Sequence, residues 1–194
     1  MRYGLTVATA PVDEPISLGE VKQYQRIDGT DDDAYIEGLI TAARNQVETE
    51  TGRSLLTTTW TWTLDRFPSG DVMEAPRSPL RSVSSITYVD TNGTTQTLAT
   101  TVYDVDTQRD PGRIFLKYQQ VWPVVRSIQN SIVVTFSAGY GTANDIPRNL
   151  KLGMMILVSH WYENREPIIT GTIVADTPLS AGYLIWPYRV KEFA

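Results

Sequence analysis

A run typical of a strand ends in Gly139 and Gly141, and Pro147 marks the start of a helix soon after. A glycine turn between a strand and a helix can bind phosphate, because the N–H groups at a helix start are free to donate. The segment has neither the Gly-x-x-x-x-Gly-Lys-Ser/Thr pattern of a P-loop nor the Gly-x-Gly-x-x-Gly pattern of a dinucleotide site. Asp145 would also repel a phosphate here. The sequence therefore favours a structural corner.

Two acidic stretches, residues 28–33 and 104–110, resemble calcium-binding loops in composition. An EF-hand loop requires Gly at its sixth position and Glu at its twelfth. Counted from Asp104, those positions hold Arg109 and Phe115, and the first stretch fails the same test. The chain has no cysteine and one histidine, so a structural zinc site is not expected either. We expect no metal and no other cofactor.

Three further residues could do chemistry or bind a ligand. His160 is the single histidine, but it lies inside a predicted helix and no Ser-containing nucleophile elbow accompanies it. Trp60 and Trp62 share one face of a predicted strand and could stack on sugar rings, although such pairs are more typical of a sheet core. A carbohydrate-binding module that uses the two tryptophans is the main alternative function, and a hydrolase that uses His160 is the third.

Composition and charge favour a folded protein that does not grip nucleic acid. Hydrophobic residues make up 41% of the 194 residues, and the net charge is -5. The excess is N-terminal, since residues 1–55 hold five Lys and Arg against ten Asp and Glu. An acidic chain without a basic stripe lacks the electrostatic footprint of a phosphate-binding protein. The start has no signal-peptide core, and the longest apolar run, MMILV, is too short to span a bilayer. We therefore expect an intracellular, soluble protein without a membrane anchor.

Helical spacing predicts three helices, over residues 17–27, 31–51 and 146–165. Ser17 and Glu20 form a capping box at the start of the first helix. Apolar residues recur at spacings of three and four in the second helix, and the third is apolar nearly all round, so it needs cover on several sides.

Between the second and third helices the hydrophobic period changes to two, as in half-buried strands. Turn signals at Asn92-Gly93 and Asp110-Pro111-Gly112 separate the runs. The segments LLTTTWTWTLDRF, SVSSITYVD, TQTLATTVYDVD, RIFLKY and SIVVTFSAGYG therefore predict an antiparallel β unit.

The predicted fold class is α+β. A small bundle of three main helices, residues 1–55 and 138–167, carries the β unit, residues 56–137, as an insertion between its second and third helices. An irregular C-terminal tail, residues 168–194, follows the bundle.

Most of the chain resembles the head–tail connector, or adaptor, proteins of long-tailed bacteriophages and prophages. The resemblance begins at ISLGEVKQYQRIDGTDDDAYIEGLITAARNQVETETGRSL and continues through APRSPLRSVSSITYVD, VVTFSAGYG and IPRNLKLGMMILVSHWYENRE. These blocks follow in the order and spacing of the larger members of that family. Small members look like a helical bundle alone, so the β unit corresponds to an insertion.

The resemblance implies a structural protein of the virion neck and not an enzyme. About a dozen copies would form a ring below the portal, continue the DNA channel and provide a docking surface for neck and tail completion proteins. DNA would pass without sequence-specific binding, and no membrane would be involved. The protein would be in the host cytoplasm during assembly and in the neck afterwards.

Two groups of residues are candidates for the interface with the portal or with neighbouring subunits. Glu163, Arg165 and Glu166 alternate in sign at the end of the third helix, which suits ion pairs either within the fold or between copies. The tail has little period of its own, yet it carries Ile185 and Trp186 in its apolar part. We expect it to order on docking; a tail that lies across its own β unit is the alternative.

That apolar part of the tail also includes Tyr188, the sixth candidate interface residue.

Overall fold

The computed structural model describes residues 3–165 and 178–190, which divide into two compact units. The β unit comprises the described residues 3–11, 57–139 and 190. The helical unit comprises the described residues of 12–56 and 140–189. The mixed α+β class predicted from the sequence is confirmed.

The β unit consists of short strands with a shared hydrophobic core. Its described strands are β1 (Tyr3–Thr9), β2 (Thr58–Leu64), β3 (Val72–Glu74), β4 (Leu80–Val89), β5 (Thr95–Thr97), β6 (Tyr103–Asp106), β7 (Arg113–Leu116) and β8 (Ile132–Ala138). A five-stranded antiparallel sheet has the order β1-β2-β8-β4-β5, and a three-stranded sheet has the order β3-β7-β6.

Strict alternation places both tryptophans of β2 in the core. Trp60 lies opposite Phe136 of β8, and Trp62 lies opposite Val134. The two indoles are buried, and the Trp62 ring packs edge-on against Phe136 at 6.4 Å between centroids. The core interpretation of this pair is therefore confirmed, and neither ring is available as a platform for sugars.

Three parts of the β unit differ from the sequence expectation. The N-terminal segment Tyr3–Thr9 falls in the predicted helical core of residues 1–55, but it forms strand β1 and pairs antiparallel with β2. Val72–Glu74 adds the short strand β3. The single run predicted at 95–106 is two strands in different sheets, because the chain leaves the five-stranded sheet after Thr97.

The helical unit begins as the sequence predicts. Ser17 and Glu20 form the capping box, with the Ser17 N–H donating to Oε2 of Glu20 at 2.7 Å. Gly52 ends the second helix in the left-handed conformation, with a φ of 70°, and Glu48 O accepts its N–H. The helices are α1 (Leu18–Gln25), α2 (Asp33–Thr51), α3 (Arg148–Glu163) and α4 (Leu179–Ile185), with 3₁₀ turns at Ala143–Asp145 and Trp186–Tyr188.

The prediction for the C-terminal tail was wrong for the part that the structure describes. The sequence predicts no regular structure after residue 167, but helix α4 and the 3₁₀ turn Trp186–Tyr188 occupy much of 178–190. Ala181 and Ile185 are fully buried in the core of the helical unit. This part of the tail is therefore ordered on its own bundle, whereas residues 166–177 and 191–194 lie outside the described residues.

Replacing Trp62 with alanine tests whether the tryptophan pair is structural. We expect the Trp62→Ala variant to lose about 3–5 kcal/mol of unfolding free energy, because a large buried aromatic side chain is removed. Val7→Ala in the exposed strand β1 is the control and should cost no more than about 0.5 kcal/mol. Urea unfolding followed by circular dichroism measures both, and equal small losses would contradict the core assignment.

Candidate functional site

The acidic segment at 104–110 uses its carboxylates within the fold. Oδ2 of Asp106 accepts a hydrogen bond from the Arg113 guanidinium at 3.1 Å, and Asp104 lies 3.4 Å from the Lys117 ammonium. Within residues 3–165 and 178–190, no three His, Asp or Glu side chains are grouped so that they could hold a metal ion.

The glycine corner has an internal acceptor at the place where a phosphate would bind. Oδ2 of Asp145 accepts from both the backbone N–H and the hydroxyl of Thr142, each at 2.8 Å. Gly139 and Gly141 have φ values of 132° and 130°, which lets the chain turn from strand β8 towards α3. This carboxylate occupies donors that an anion would need, so the corner is structural.

His160 takes part in the end of helix α3. Its backbone oxygen accepts from the N–H of Asn164 at 3.1 Å and from the side-chain amide of Asn164 at 2.8 Å. The imidazole Nδ1 lies 3.4 Å from the same amide nitrogen. These contacts support a structural role for the residue.

The charged end of α3 is fastened to the start of α2 by a four-residue cluster, the α2–α3 clamp. Oδ2 of Asp32 accepts from the Tyr162 hydroxyl at 2.6 Å and from the Arg165 guanidinium at 2.8 Å. The Arg165 guanidinium carbon lies 4.7 Å from the ring centroid of Tyr35 and 4.9 Å from that of Tyr162. Arg165 therefore has partners within its own chain.

Electrostatics in the clamp follow from these hydrogen bonds. The Tyr162 hydroxyl, and next the Arg165 guanidinium, hold the pKa of Asp32 below its usual value. The Asp32 carboxylate in turn raises the pKa of Tyr162. Glu163, the neighbouring candidate, is exposed, and Glu166 lies outside the described residues.

Helix α4 has an inner face that depends on a glycine of α3. Ile185 packs so close to Gly153 that a Cβ added there would lie 3.0 Å from Cγ1 of Ile185 and 3.7 Å from the Ala181 carbonyl oxygen. Ile185 is fully buried in the helical core, and Tyr188 packs partly buried against the same core. Burial of this face fixes the helix on its own bundle.

The outer face of α4 is also apolar, and it is open to solvent. Leu179, Tyr183 and Trp186 follow at spacings of four and three and are 74%, 78% and 68% exposed. Such spacing puts them on one side of a helix. We call these three residues the α4 stripe. Large apolar side chains exposed in a row mark an interaction surface more often than ordinary protein surface.

The stripe borders a cleft of about 670 Å³. Glu50 and Arg189 provide the charged groups of its lining, and the other lining residues are apolar or glycine. The guanidinium carbon of Arg189 lies 4.7 Å from the Trp186 ring centroid. Nη2 of the same guanidinium lies 3.9 Å from Oε2 of Glu50. This cation–π contact holds the exposed indole in place. The remaining lining residues are Pro178, Leu179, Gly182, Tyr183, Trp186 and Pro187.

The six residues predicted as an interface thus divide into different structural roles. Trp186 is on the exposed stripe, whereas Ile185 and Tyr188 face inward and support it. Leu179 and Tyr183 were not among the interface residues predicted from the sequence. The spacing of four and three was visible in the sequence, but two prolines and a glycine in the same window obscured the helix.

No described helix is both long and apolar enough to cross a membrane, a statement limited to residues 3–165 and 178–190.

Comparison with known proteins gives a family and a fold. The family model described as head completion protein matches residues 14–171. No curated protein matches the chain. The solved neck of an empty GTA particle, computed with C6 symmetry, has a TM-score of 0.77 at 20% identity, and the two chains are covered to 98% and 97%.

Two further solved structures show the same fold. A chain from the virion of a native gene transfer agent particle has a TM-score of 0.77, and one from the native GTA neck, computed with C12 symmetry, has 0.76. Each is 21% identical over 98% of this chain and 97% of the other. Family and fold confirm the resemblance to phage connector proteins seen in the sequence.

Replacing Asp32 with asparagine tests the α2–α3 clamp through pH. Because the pKa of Asp32 is lowered on folding, its carboxylate stabilises the fold above the unfolded pKa of about 3.9, and this stabilisation is lost as pH falls through the folded pKa. We expect the wild type to be more stable than Asp32→Asn near neutral pH and the difference to vanish in strong acid. Urea unfolding across pH measures it; exposed Asp28→Asn is the control. Parallel curves for the wild type and Asp32→Asn would contradict the clamp.

Substitutions on the two faces of α4 should differ in their effect on the free energy of unfolding. Ile185→Ala should lower the unfolding free energy by about 2–4 kcal/mol, because it leaves a cavity beside Gly153. Trp186→Ala should change it by no more than about 0.5 kcal/mol, because the side chain is largely exposed. Thermal unfolding of both variants provides the comparison, and a larger loss for Trp186→Ala would reverse our assignment of the faces.

Proposed function

This chain belongs to the head completion protein family, and from that premise we propose that it is a structural protein of the virion neck that assembles into a ring. Its function is to hold other proteins together and not to catalyse a reaction. The ring would lie below the portal and continue the channel through which DNA passes. The protein would be in the host cytoplasm until it joins the particle.

The observation that carries this proposal is the exposed α4 stripe. A protein that stayed monomeric would gain nothing from three large apolar side chains held at the surface, whereas an assembly protein can bury them against a partner. The helix is fixed from behind by Ile185 and Ala181, so little conformational entropy is lost when the outer face docks.

The proposed partners are further copies of this chain, the portal protein, and neck or tail completion proteins. Two of the similar solved structures are necks, and the one computed with C12 symmetry supports a ring of about twelve copies here. The net charge of -5 supports passage of DNA without sequence-specific binding, because an acidic protein does not retain phosphates.

Each candidate residue has a part in this proposal. Trp186 contacts the partner, while Ile185 and Tyr188 position it. Glu163 is exposed at the end of α3 and is available for an ion pair with a neighbour. Arg165 orders the same helix end through Asp32, and Glu166 remains a candidate by its place in the sequence.

The β unit is proposed to be an insertion that adds to a connector core. The core would comprise residues 1–55 and 138–167, without strand β1, which pairs with β2 and belongs to the β unit. The insertion would comprise residues 56–137, and the docking tail residues 168–194. The covalent order supports this arrangement, since strands β2 to β8 follow one another between α2 and α3.

Loss of the exposed indole should impair assembly without unfolding the protein. We expect Trp186→Ala to weaken self-association at least about tenfold, because exposed aromatic anchors at interfaces contribute strongly to binding. Tyr24→Ala, which removes a half-exposed tyrosine from α1, is the matched control and should assemble normally. Sedimentation velocity over a concentration series measures both. Normal assembly of Trp186→Ala would show that the α4 stripe is not an assembly interface, and the proposal would lose its main support.

A further inference from the structure

A second apolar surface projects from the β unit, in the long connection between β7 and β8. Among the described residues, seven large apolar side chains are more than two-thirds exposed, and all except Val12 belong to two short segments. One segment is the α4 stripe. The other carries Tyr118, Val121 and Val124, which are 89%, 78% and 75% exposed. We call these three residues the β7–β8 loop tip.

This loop forms no helix or strand, but a ring stack and hydrogen bonds fix it to the rest of the β unit. The Trp122 ring stacks on Phe67, with centroids 4.9 Å apart and planes at 5°, and its indole N–H donates to the Gly70 carbonyl at 2.9 Å. The Arg126 N–H donates to Val89 O at 2.9 Å. Long loops without secondary structure are commonly functional, and one pinned in this way loses little entropy on binding.

Neither surface carries a charged side chain of its own. Residues 118–125 and 178–188 contain no charged side chain. At the cleft beside the stripe, the charged groups are Glu50 and Arg189, which pair with each other. A neutral, apolar cleft suits a neutral, apolar occupant, and a charged one would lose solvation there without an opposite partner.

The cleft is large enough to receive side chains of the loop tip. Those side chains are largely exposed, and the α4 stripe lines a cleft of about 670 Å³. That volume lies within the range of roughly 300–1,000 Å³ typical of ligand pockets, so it can admit more than one side chain of a loop. A closed ring of identical copies requires two different complementary surfaces on every copy.

We propose that the β7–β8 loop tip of one copy inserts into the cleft beside the α4 stripe of the next copy in the ring. This inference rests on the proposed ring and names the partner of its α4 surface. Val121 and Val124 would lie against Tyr183 and Trp186. Each copy then uses one surface as donor and the other as acceptor, which propagates around the ring.

The test uses the absence of cysteine from the chain, because each introduced thiol is then unique. Copies carrying Val121→Cys are mixed with copies carrying Tyr183→Cys, assembled, and treated with a short bis-maleimide. A covalent dimer that requires both variants is expected. Copies carrying Thr107→Cys, at an exposed position elsewhere in the β unit, replace the Val121→Cys copies in the control and should give at least about tenfold less dimer.

In the same samples, the mass of the particle is measured to detect ring formation. Portal protein is added if the chain alone remains monomeric. Rings with the specific dimer support the inference. Rings with no more dimer than the control overturn it and leave the proposed function standing. Absence of rings under both conditions overturns both.

A charge exchange gives an independent measurement. Val121→Asp and Tyr183→Lys should each weaken assembly at least about tenfold, and copies with both changes should recover most of the loss. Both residues are exposed, so circular dichroism should be unchanged. Additive losses in the double variant would contradict direct contact.

Discussion

The packing of Ile185 into the space beside Gly153 is the contact on which the described C-terminal segment depends. A side chain at position 153 would meet Ile185 at 3.0 Å, so the two helices approach as closely as they do because α3 carries glycine there. This contact fixes α4 and thereby decides which of its apolar residues face outward. The exposed row of Leu179, Tyr183 and Trp186 is therefore a consequence of how the inner face packs.

Several charged groups of the helical unit form ion pairs within the chain. Ion pairs of this kind at a surface add little stability, but they place cations beside the acidic residues of the N-terminal region. The two surfaces proposed for association, the α4 stripe and the β7–β8 loop tip, are apolar. Assembly through such surfaces depends on hydrophobic burial and is less sensitive to salt than assembly through ion pairs. These pairs include Lys22–Asp33, Arg44–Glu14, Lys151–Glu20, Arg165–Asp32 and Arg189–Glu50.

The sequence predicted those helices and strands that are determined by residues close together in the chain. The capping box at Ser17, the period of α2 and the alternation of β2 each lie within a few residues, and all three elements form as expected. Strand β1 was missed because six of its seven residues are exposed and its partner β2 is distant in sequence. Helix α4 was missed for a similar reason, since its packing partner Gly153 lies on α3.

In the candidate site too, residues could be selected from the sequence, but their contacts with distant parts of the chain could not. Trp186 could be selected from composition, but the direction in which it points depends on the burial of Ile185. The pairing of Arg165 with Asp32 joins residues 133 positions apart, which no local pattern reveals. The β7–β8 loop tip gave no signal at all, because exposed apolar residues in a pinned loop follow no period.

Assembly of this chain into a neck ring can be tested by the mass of the purified protein, alone and after mixing with portal protein. We expect a particle of about twelve chains of 21.7 kDa, formed alone or on the portal. A protein that remains at the mass of one chain in both samples, at concentrations where it is folded, would show that it does not form such a ring.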